Sequence, residues 1–419
     1  MNNIELTKLD LTSNNREVDA YLKKTIKYDY RGHSLNFQVS QSLFSSHEVD
    51  HGTQRLLRTF TFEKIDAYNK VLDFGCGYGP IGIALKSFYP DSVVHMVDRD
   101  ALALDYSRRN AVINNVGDIK TYASLGYDDI VGTNFDLIVS NIPAKVGEKA
   151  LSHILKDSQF YLRQGGRVAV VVIDAIVEYI ASVLTADPNI NILFRKAWPG
   201  HTVFHYNFTS DNRLITKPQE SAFDRGIFDR EDKVFSVGTL SFPMKTTYGL
   251  SEFNTLNYEA ELLIDNLQTI QNRPINTGLI FNPGQGHIPV ALSLRGKTDK
   301  IVLADRDLQA IRVSRRNLLL NGYSAKNILL LHQIGLFHIE GPVDCIIGIL
   351  DDKDGPAIHE MLLEQAASIL SPKGIIMISS SSTPITRIEK SVKAKKYLDI
   401  LERRKFKGKS IMTLKHKNY

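Results

Sequence analysis

Cysteine is scarce in this sequence, because Cys76 and Cys345 are the only two in 419 residues. Two isolated thiols cannot build a disulfide framework, and they lack the clustering that a zinc site requires. No metal site is therefore expected, and a reducing cytoplasm is the compartment that this composition favours. Long apolar runs are also missing, since none reaches the roughly 18 residues that a membrane span needs. Residues 1–10 alternate polar and charged side chains, which is not the pattern of a secretory signal.

A strong excess of one charge is absent as well. The formal net charge of +5 permits a nucleic-acid partner but does not demand one. The densest basic stretch lies near the C-terminal end and contains Lys390, Lys393, Lys395, Lys396, Arg403, Arg404, Lys405, Lys407 and Lys409. Two interpretations of this stretch stay open, a solvated surface and a patch that faces RNA.

What the sequence does contain is a long internal repeat. Three short motifs recur 207 residues later: 77–79 at 284–286, 98–100 at 305–307, and 107–110 at 314–317. Upstream of these, Leu56–Leu57 pairs with Leu262–Leu263 at an offset of 206. An offset this steady over such a length indicates a tandem duplication of one α/β unit.

Each copy alternates short apolar runs, rich in β-forming residues, with segments compatible with helices. This pattern predicts an α/β protein with two tandem Rossmann-like domains, whose doubly wound sheets are mostly parallel. The strands predicted in the first copy are Lys70–Phe74, Val93–Asp98, Phe135–Ser140 and Arg167–Ile173. The stretch from 210 to 233 holds many charges and few large apolar residues. We therefore predict domains over residues 1–215 and 216–419.

A glycine-rich loop follows the first predicted strand, over Asp73–Gly82. Closely spaced glycines allow a tight turn and a close approach of the backbone to a ligand. The helix that follows offers free N–H groups at its N-terminus. Gly77, Gly79 and Gly82 also fit the dinucleotide fingerprint G-x-G-x-x-G, which is a weak signal when it stands alone.

Three features favour S-adenosylmethionine over NAD as the ligand of this loop. Asp73 stands where an acid can meet the positively charged amino-acid end of that cofactor, and it would repel a pyrophosphate. Asp98 ends the second strand, where it can accept hydrogen bonds from both ribose hydroxyls. The motif Asn141–Ala144 is not needed for hydride transfer. NAD, and glycines that only shape a turn, are the alternatives.

The motif Asn141–Ala144 ends the predicted fourth strand, at the sheet edge where such folds bind their ligands. The side-chain carbonyl of Asn141 and the backbone carbonyl of Ile142 can accept the two N–H bonds of an exocyclic base amine. Pro143 keeps this backbone extended. The nitrogen lone pair then points at the sulfonium methyl, so positioning does most of the work and no metal is required. An ordinary turn is the alternative.

At these residues the first copy resembles the methyltransferase small domain family. The resemblance covers roughly residues 28–206, extends weakly to 234–414, and rests on Phe44–Ser45, Asp50–Thr53, Val71–Gly77, Asp98 and Asn141–Ala144. That family includes ribosomal RNA guanine-N2 methyltransferases, which implies a ribosomal RNA substrate here. The residues expected to bind the cofactor are Gly52, Thr53, Asp73, Gly75, Cys76, Gly77, Gly79, Asp98, Arg99, Ser124 and Asn141. Asn141 and Pro143 are expected to be catalytic.

Three departures from the family pattern bear on the substrate. Ala144 replaces the aromatic residue that stacks on the target base, a contact worth about 1–3 kcal/mol, and Tyr127 is one aromatic that can take its place. The segment Ala123–Leu125 lacks the acid that often meets the adenine amino group, which leaves Ser124 or backbone groups for that role. Family members carry the active unit at the C-terminal end, whereas this chain carries it at the N-terminal end.

The second copy keeps its core positions and loses the site. The replacements that the sequence indicates are Asp73 by Ile280, Gly75 by Asn282, Cys76 by Pro283, Gly52 by Tyr258, Thr53 by Glu259, Asn141 by Ile349 and Pro143 by Asp351. We therefore predict a degenerate second domain with a structural or substrate-binding role. Cofactor binding through Asp305 and Asp307 is the alternative.

Together these features predict an S-adenosylmethionine-dependent methyltransferase that modifies an exocyclic base nitrogen, guanine N2, of ribosomal RNA. A methyltransferase of a small molecule or a protein side chain is one alternative, and Ala144 is its best support. A non-catalytic RNA-binding protein that keeps one cofactor pocket is another.

Overall fold

The computed structural model of the protein describes residues 19–61, 67–209, 216–339 and 341–417. These residues divide into two units, one over Leu22–Phe228 and one that begins at Asp229 and also includes Tyr21. The division falls inside the polar stretch from 210 to 233. The domain bounds 1–215 and 216–419 stay a prediction.

Residues just before this division are hydrogen-bonded to the first unit. The carboxylate of Asp128 accepts the backbone N–H groups of Ala222 at 2.6 Å and of Phe223 at 3.0 Å. A carboxylate that accepts adjacent N–H groups holds a chain segment firmly, because charge-assisted hydrogen bonds are the stronger kind.

The first unit begins with a hairpin and continues with alternating strands and helices. Its strands are β1 (Leu22–Tyr30), β2 (His33–Ser40), β3 (Lys70–Phe74), β4 (Val93–Asp98), β5 (Ile119–Ala123), β6 (Phe135–Asn141), β7 (Leu162–Ile173), β8 (Ile190–Trp198) and β9 (His201–Phe208). Its helices are α1 (His51–Thr59), α2 (Pro80–Phe88), α3 (Ala101–Ile113), α4 (Glu148–Lys156) and α5 (Val177–Ala186).

Among the described residues of this unit, seven strands form one sheet in the order β5-β4-β3-β6-β7-β9-β8. The strands from β5 to β7 are parallel to their neighbours, and β9 runs antiparallel to both β7 and β8. The chain leaves β3 towards β4 on one side, and β6 lies on the other side. Ligands of open α/β sheets bind at such a switch point, outside the carboxyl ends of the strands.

The second unit repeats this plan. Its strands are β10 (Asp229–Val237), β11 (Leu240–Thr247), β12 (Pro274–Phe281), β13 (Lys297–Asp305), β14 (Ile328–His332), β15 (Val343–Ile349), β16 (Leu370–Ser381), β17 (Leu398–Phe406) and β18 (Lys409–His416). Its helices are α6 (Tyr258–Asn266), α7 (His287–Arg295), α8 (Leu308–Leu320), α9 (Pro356–Ile369) and α10 (Ser382–Lys395). The sheet order β14-β13-β12-β15-β16-β18-β17 matches that of the first unit strand for strand. The predicted fold class is confirmed.

The central strands are buried along their whole apolar runs, because helices cover both faces of a parallel sheet. Residues 168–172 of β7 are each at most 1% exposed. The corresponding run of β16, residues 375–378, is at most 4% exposed. In the part of the chain that the structure describes, no helix has the length and apolarity to cross a membrane.

The helix caps show which residues of the two copies correspond to each other. Asp50 caps α1 by accepting the N–H of Thr53 at 3.1 Å, and Asn257 caps α6 by accepting the N–H of Ala260 at 2.7 Å. Each cap residue precedes a helix that contains nine residues. Asp50 therefore corresponds to Asn257, and the offset in this helix is 207 rather than 206.

The pairing of Gly52 with Tyr258 and of Thr53 with Glu259 is consequently wrong by one residue. Glu259 stands at the position of Gly52, and Ala260 at the position of Thr53. The error came from matching leucines by identity, since the second copy places an isoleucine where the first copy has its second leucine.

Candidate cofactor and acceptor site

The glycine loop folds over the carboxyl end of β4. Gly75, Gly77 and Gly79 have φ angles of 75°, 56° and 91°, a region that residues with a side chain rarely adopt. The N–H groups of Gly75 and Cys76 both donate to the carbonyl oxygen of Val97 at 2.9 Å. A Cβ built on Gly75 or Gly77 would meet no atom of the described residues within 4 Å. The loop therefore borders open space, as a ligand cradle requires.

Helix α3 holds this loop from behind. The Ser107 hydroxyl donates to the carbonyl oxygen of Gly77 at 2.7 Å, and the Asn110 amide donates to that of Tyr78 at 2.9 Å. Asn110 also exchanges hydrogen bonds with the backbone N–H and C=O of Gln38 on β2, at 2.7 and 3.0 Å. Both side chains are completely buried. Neither residue was predicted from the sequence, although the recurrence of motif 107–110 at 314–317 could have indicated both.

Asp73 lies beneath the loop and has no exposed surface. One carboxylate oxygen accepts the N–H of Gly82 at 2.8 Å. The other, Oδ1, is buried and has no hydrogen-bond partner among the described residues. Burial is the main reason why the pKa of Asp73 rises to about 7. An unpartnered buried carboxylate oxygen below a glycine cradle fits a ligand that brings a positive charge.

Asp98 ends β4 at the opposite side of the same loop. Its Oδ2 accepts the N–H of Gly77 at 2.9 Å, and its Oδ1 accepts the N–H of Asp100 at 3.0 Å. Burial raises the pKa of Asp98 to about 6, while the positive charge of Arg99 acts in the opposite direction. Each oxygen keeps a second lone pair, so the carboxylate can still accept hydrogen bonds from a ribose.

The acceptor motif meets the upstream motif through Asn141. Its Nδ2 donates to Oδ2 of Asp50 at 2.8 Å and to Oγ1 of Thr53 at 3.2 Å. A carboxylate can only accept, so the amide nitrogen must face Asp50 and the carbonyl oxygen of Asn141 must turn away from it. Asp50 was named only as part of a motif, yet it both caps α1 and orients this amide.

Gly52 makes this arrangement possible because its neighbours are very close. A Cβ at this position would lie 2.8 Å from Oδ2 of Asp50 and 2.8 Å from Cδ2 of His201. His201 cannot withdraw easily, because its Nδ1 lies 2.7 Å from the guanidinium of Arg55. Any side chain at Gly52 would therefore displace the carboxylate that orients Asn141.

The rest of the acceptor motif follows the end of β6. The N–H of Ile142 donates to the carbonyl oxygen of Val171 at 3.0 Å, which continues the pairing with β7. Pro143 is exposed, and Ala144 is half-buried. The motif thus leaves the sheet at the switch point, and its proline faces outward.

Ser124 and Cys76 are engaged within the protein. The Ser124 hydroxyl donates to the carbonyl oxygen of Gly126 at 2.7 Å and accepts the N–H of Asp129 at 3.3 Å, so it closes the turn after β5. The Cys76 thiol is buried 3.4 Å from the Ser107 hydroxyl, and burial raises its pKa well above the usual range. The Cys76 thiol therefore stays protonated.

Tyr127 does not replace the missing stacking aromatic, and that expectation was wrong. Its side chain is 3% exposed and stacks on Tyr161 with ring centroids 4.9 Å apart. Its hydroxyl donates to the carbonyl oxygen of Ile154 at 2.9 Å. Phe44, by contrast, is 73% exposed. It lies on the segment between Ser40 and Asp50, which leads directly into the cap that holds Asn141.

Five of the nine basic residues near the C-terminal end form ion pairs with acids of the described residues. The ion pairs are Lys393 and Arg403 with Glu389, Lys395 with Glu364, Arg404 with Asp265, and Lys409 with both Glu259 and Asp352. These pairs consume much of the positive charge of the stretch. A solvated, ion-paired surface is the interpretation that the structure favours over a patch that faces RNA.

The sheet order, the glycine loop after β3 and the acid at the end of β4 define a class I methyltransferase domain. The family model described as "Methyltransferase small domain" matches residues 34–185 and again residues 244–407. The chain therefore belongs to the methyltransferase small domain family. This membership confirms the predicted resemblance and the predicted class of enzyme, a methyltransferase that uses S-adenosylmethionine.

Two relatives each match about a third of the chain. An uncharacterized Bacillus subtilis protein, YbxB, is 32% identical over 151 residues, which are 36% of this chain and 74% of that protein. The ribosomal RNA small subunit methyltransferase C of Haemophilus influenzae is 38% identical over 143 residues, which are 33% of this chain. That match spans 42% of the Haemophilus protein, less than half of its length.

One solved structure resembles nearly the whole chain. The T. thermophilus 16S rRNA N2 G1207 methyltransferase, RsmC, solved in complex with AdoMet and guanosine, superposes with a TM-score of 0.66. The superposition covers 95% of this chain and 99% of that chain, at 16% sequence identity. At this identity the likeness shows that both chains share the tandem fold.

Proposed function

We propose that this chain transfers a methyl group to the exocyclic N2 of a guanine in ribosomal RNA. The observation that carries the proposal is the orientation of Asn141, whose carbonyl oxygen is turned away from Asp50 and can accept an N–H bond of the base. The names of the Haemophilus and T. thermophilus proteins support ribosomal RNA as the substrate class. A cytoplasmic location agrees with that substrate and is part of the proposal.

The residues around the glycine loop fit S-adenosylmethionine, which supplies an activated methyl group when it is bound. Gly75, Cys76, Gly77 and Gly79 would cradle it by close approach of their backbone, because a Cβ on Gly75 or Gly77 would meet open space. Asp98 would accept the ribose hydroxyls, with Arg99 beside it. Asp73 would balance the positive amino end from beneath the loop through its charge, because its own surface is covered.

Other parts of the cofactor site come from neighbouring elements. Gly52 and Thr53 open α1 directly beside Asn141, and we propose that they border the methionine end. Ser124 follows β5, where its backbone would approach the adenine while its hydroxyl closes the turn. These residues belong to the set predicted from the sequence, and their assignment is supported by the placement of each residue at the carboxyl edge of the sheet.

The acceptor amine is a weak nucleophile, so its orientation matters most. Asn141 and the backbone of Ile142 would hold the two N–H bonds, and Pro143 would keep that backbone extended. Held in this way, the amine would present its lone pair to the activated methyl group that bound S-adenosylmethionine supplies. Amide and peptide oxygens accept hydrogen bonds but are poor bases, so the surplus proton leaves the nitrogen for solvent after transfer.

A second candidate is a methyltransferase of a small molecule or a protein side chain. Ala144 favours it, because the residue that would stack on a base is missing from the acceptor motif. In the first unit, Phe44 offers exposed aromatic surface on the segment that leads into α1. This surface is our reason to place the RNA substrate first.

The test is methyl transfer from labelled S-adenosylmethionine to ribosomal RNA and to small ribosomal subunits, with N2-methylguanosine identified by mass spectrometry. We expect Asn141→Ala to lower kcat by about 100-fold, because a misplaced acceptor loses its alignment. An affinity for S-adenosylmethionine that changes by less than about two-fold would assign Asn141 to the acceptor alone, and a larger loss would assign it to the cofactor as well.

The matched control is Ile349→Ala, at the same position of the second copy, which should leave kcat unchanged. Methylation of a small molecule or protein in place of RNA would establish the second candidate. Salt-dependent RNA binding without any methyl transfer would instead identify a non-catalytic RNA-binding protein.

A further inference from the structure

The second unit contains a cavity of about 580 Å³ at the carboxyl ends of β12 and β13. Its position corresponds to the cofactor site of the first unit. The wall includes Glu252, Asn282, Asp305 and Gln333. The acceptor motif is gone, because Ile349 and Asp351 stand where Asn141 and Pro143 are found in the first unit. The cavity therefore persists without the residues that would orient an acceptor.

Asp305 keeps the geometry of Asp98, the residue of the first unit that we propose accepts the ribose hydroxyls. Its Oδ1 accepts the N–H of Asp307 at 2.8 Å, as Asp98 accepts the N–H of Asp100 at 3.0 Å. Gly284 keeps a φ of 55°, close to the 56° of Gly77. A carboxylate held in this way beside a glycine turn can accept two vicinal hydroxyls.

Gln333 adds an acceptor at the position of Ser124. Its side chain is 3% exposed, and its Nε2 donates to the carbonyl oxygens of Gly335 at 3.2 Å and Phe337 at 2.6 Å. These two bonds fix the amide so that Oε1 is the remaining atom, and Oε1 has no partner among the described residues. A buried unpartnered carbonyl costs stability, about 1–3 kcal/mol, until a donor reaches it. An exocyclic amine of a base is such a donor.

The methionine side of the cavity differs from that of the first unit in two residues. Asn282 replaces Gly75, and its amide donates to the carbonyl oxygen of Ile349 at 2.8 Å. Its side chain thus fills the space that is open above Gly75 in the first unit. The acid beneath the loop is also lost, because Ile280 replaces Asp73. A cofactor with an amino-acid tail therefore loses both the open loop position and the acid that the first unit offers to its tail.

Phosphate is excluded by charge. The cavity wall contains Glu252, Glu259, Asp305, Asp307, Asp351, Asp352 and Asp354, together with the cations Arg306 and Lys353. Lys409 also pairs with Glu259 and Asp352, so seven acids face three cations and the excess charge stays negative. A phosphate beside this many carboxylates would be repelled. A nucleoside within an RNA chain carries phosphates on both sides, so it is excluded for the same reason.

We propose that the second unit binds a free nucleoside of the adenosine type, which carries neither phosphate nor an amino-acid tail. The ribose hydroxyls lie on Asp305, and the exocyclic amine lies on Oε1 of Gln333. The site binds without catalysing methyl transfer.

The test is calorimetric titration of the full chain with adenosine, adenosine 5′-monophosphate and S-adenosylmethionine. Asp305→Asn and Gln333→Leu are compared with Asp98→Asn, which changes the equivalent acid of the first unit. Asp305→Asn keeps one amide oxygen for the N–H of Asp307, and far-ultraviolet circular dichroism checks that each variant is folded. We expect one site that binds adenosine. Both Asp305→Asn and Gln333→Leu should weaken its affinity for adenosine at least about 10-fold, and Asp98→Asn should leave that affinity unchanged.

Adenosine 5′-monophosphate should bind this site at least about 10-fold more weakly than adenosine, and S-adenosylmethionine should not compete with adenosine for it. Adenosine binding that is identical in the wild type and in folded Asp305→Asn and Gln333→Leu would overturn the proposal. Equal affinity for the monophosphate would overturn it as well. Loss of S-adenosylmethionine binding in Asp98→Asn concerns only the first unit, so the two proposals succeed or fail separately.

Discussion

At the scale of single residues, the two carboxylates of the cofactor loop make cofactor binding depend on pH. The pKa of Asp73 is raised to about 7 and that of Asp98 to about 6, in each case mainly by burial. A cationic ligand favours the ionised carboxylate, and it lowers the pKa of that group on binding. Affinity for S-adenosylmethionine should therefore fall as the pH drops through about 7 and then 6.

Calorimetric titration across this range measures the effect. The α-amino group of the cofactor has an ordinary pKa of roughly 7.7–8.0, so it stays charged as the pH falls and does not cause the loss. Asp73→Asn is the control, because it should bind weakly at every pH and lack the step near 7. An affinity that is flat from pH 8 to 5.5 would contradict the role of these two acids.

Phe44 is the residue we expect to supply the aromatic contact that Ala144 lacks. Stacking of a base on an aromatic ring contributes about 1–3 kcal/mol, so Phe44→Ala should raise KM for the RNA substrate by about 10-fold. Affinity for S-adenosylmethionine should be unchanged, because Phe44 is outside the glycine loop. Steady-state methylation assays give both values. Phe44→Tyr should restore the wild-type KM, and a KM unaffected by Phe44→Ala would remove this residue from the substrate site.

At the scale of elements, helix α3 and its counterpart α8 offer a matched comparison. Asn110 bonds to Tyr78 and twice to Gln38, and Asn317 bonds in the same way to Gln285 and twice to Lys245. Alanine at either position leaves buried backbone groups unpaired.

We therefore expect Asn110→Ala and Asn317→Ala each to lower the free energy of unfolding by about 3 kcal/mol. Only Asn110→Ala should also weaken S-adenosylmethionine binding, because only its loop cradles that cofactor. Urea unfolding and calorimetry separate the two effects. Equal losses of cofactor affinity in both variants would show that the hydrogen bonds of Asn110 have no local role at the cofactor site of the first unit.

The elements also show where sequence reasoning succeeds. The strands Lys70–Phe74 and Val93–Asp98 were predicted with the bounds that the structure has, because each is a short apolar run between a turn and an acid. The strand predicted from Arg167 begins at Leu162 instead. Leu162 pairs with Phe135 of β6, and the register shifts before Arg167 pairs with Leu137, so hydrophobic periodicity does not predict this extension.

Sequence patterns could not predict some parts of the candidate site. The Asp50 carboxylate bonds to Asn141 across 91 positions of the chain, and no local periodicity reports such a contact. Tyr127 was expected to be able to stack on the target base, yet its ring stacks on Tyr161 in the core. Asp73 was expected to face the cofactor, and its complete burial depends on how α2 packs.

At the scale of the whole molecule, each unit has its own sheet and core, so the units can be compared separately. A protein limited to residues 22–228 should bind S-adenosylmethionine within about three-fold of the full chain, because the cradle and both acids lie in that segment. If the second unit contributes to substrate binding, as predicted from its degenerate site, kcat/KM for RNA should fall by about 10-fold or more. Methylation of RNA at the full rate by residues 22–228 would leave the second unit without a part in the reaction.

The strand order of the first unit has a consequence for its synthesis. The last strand to be made, β9, lies between β7 and β8. Until β9 leaves the ribosome, β7 has an open edge and β8 has no neighbour in the sheet. Translation from residue 190 to residue 208 takes roughly 1–4 s at 5–20 residues per second, and throughout this interval the nascent chain exposes unpaired strands of the kind that associate with other chains. A ribosome that stalls in this window would hold an unfinished sheet, which gives chaperones a defined moment at which to act.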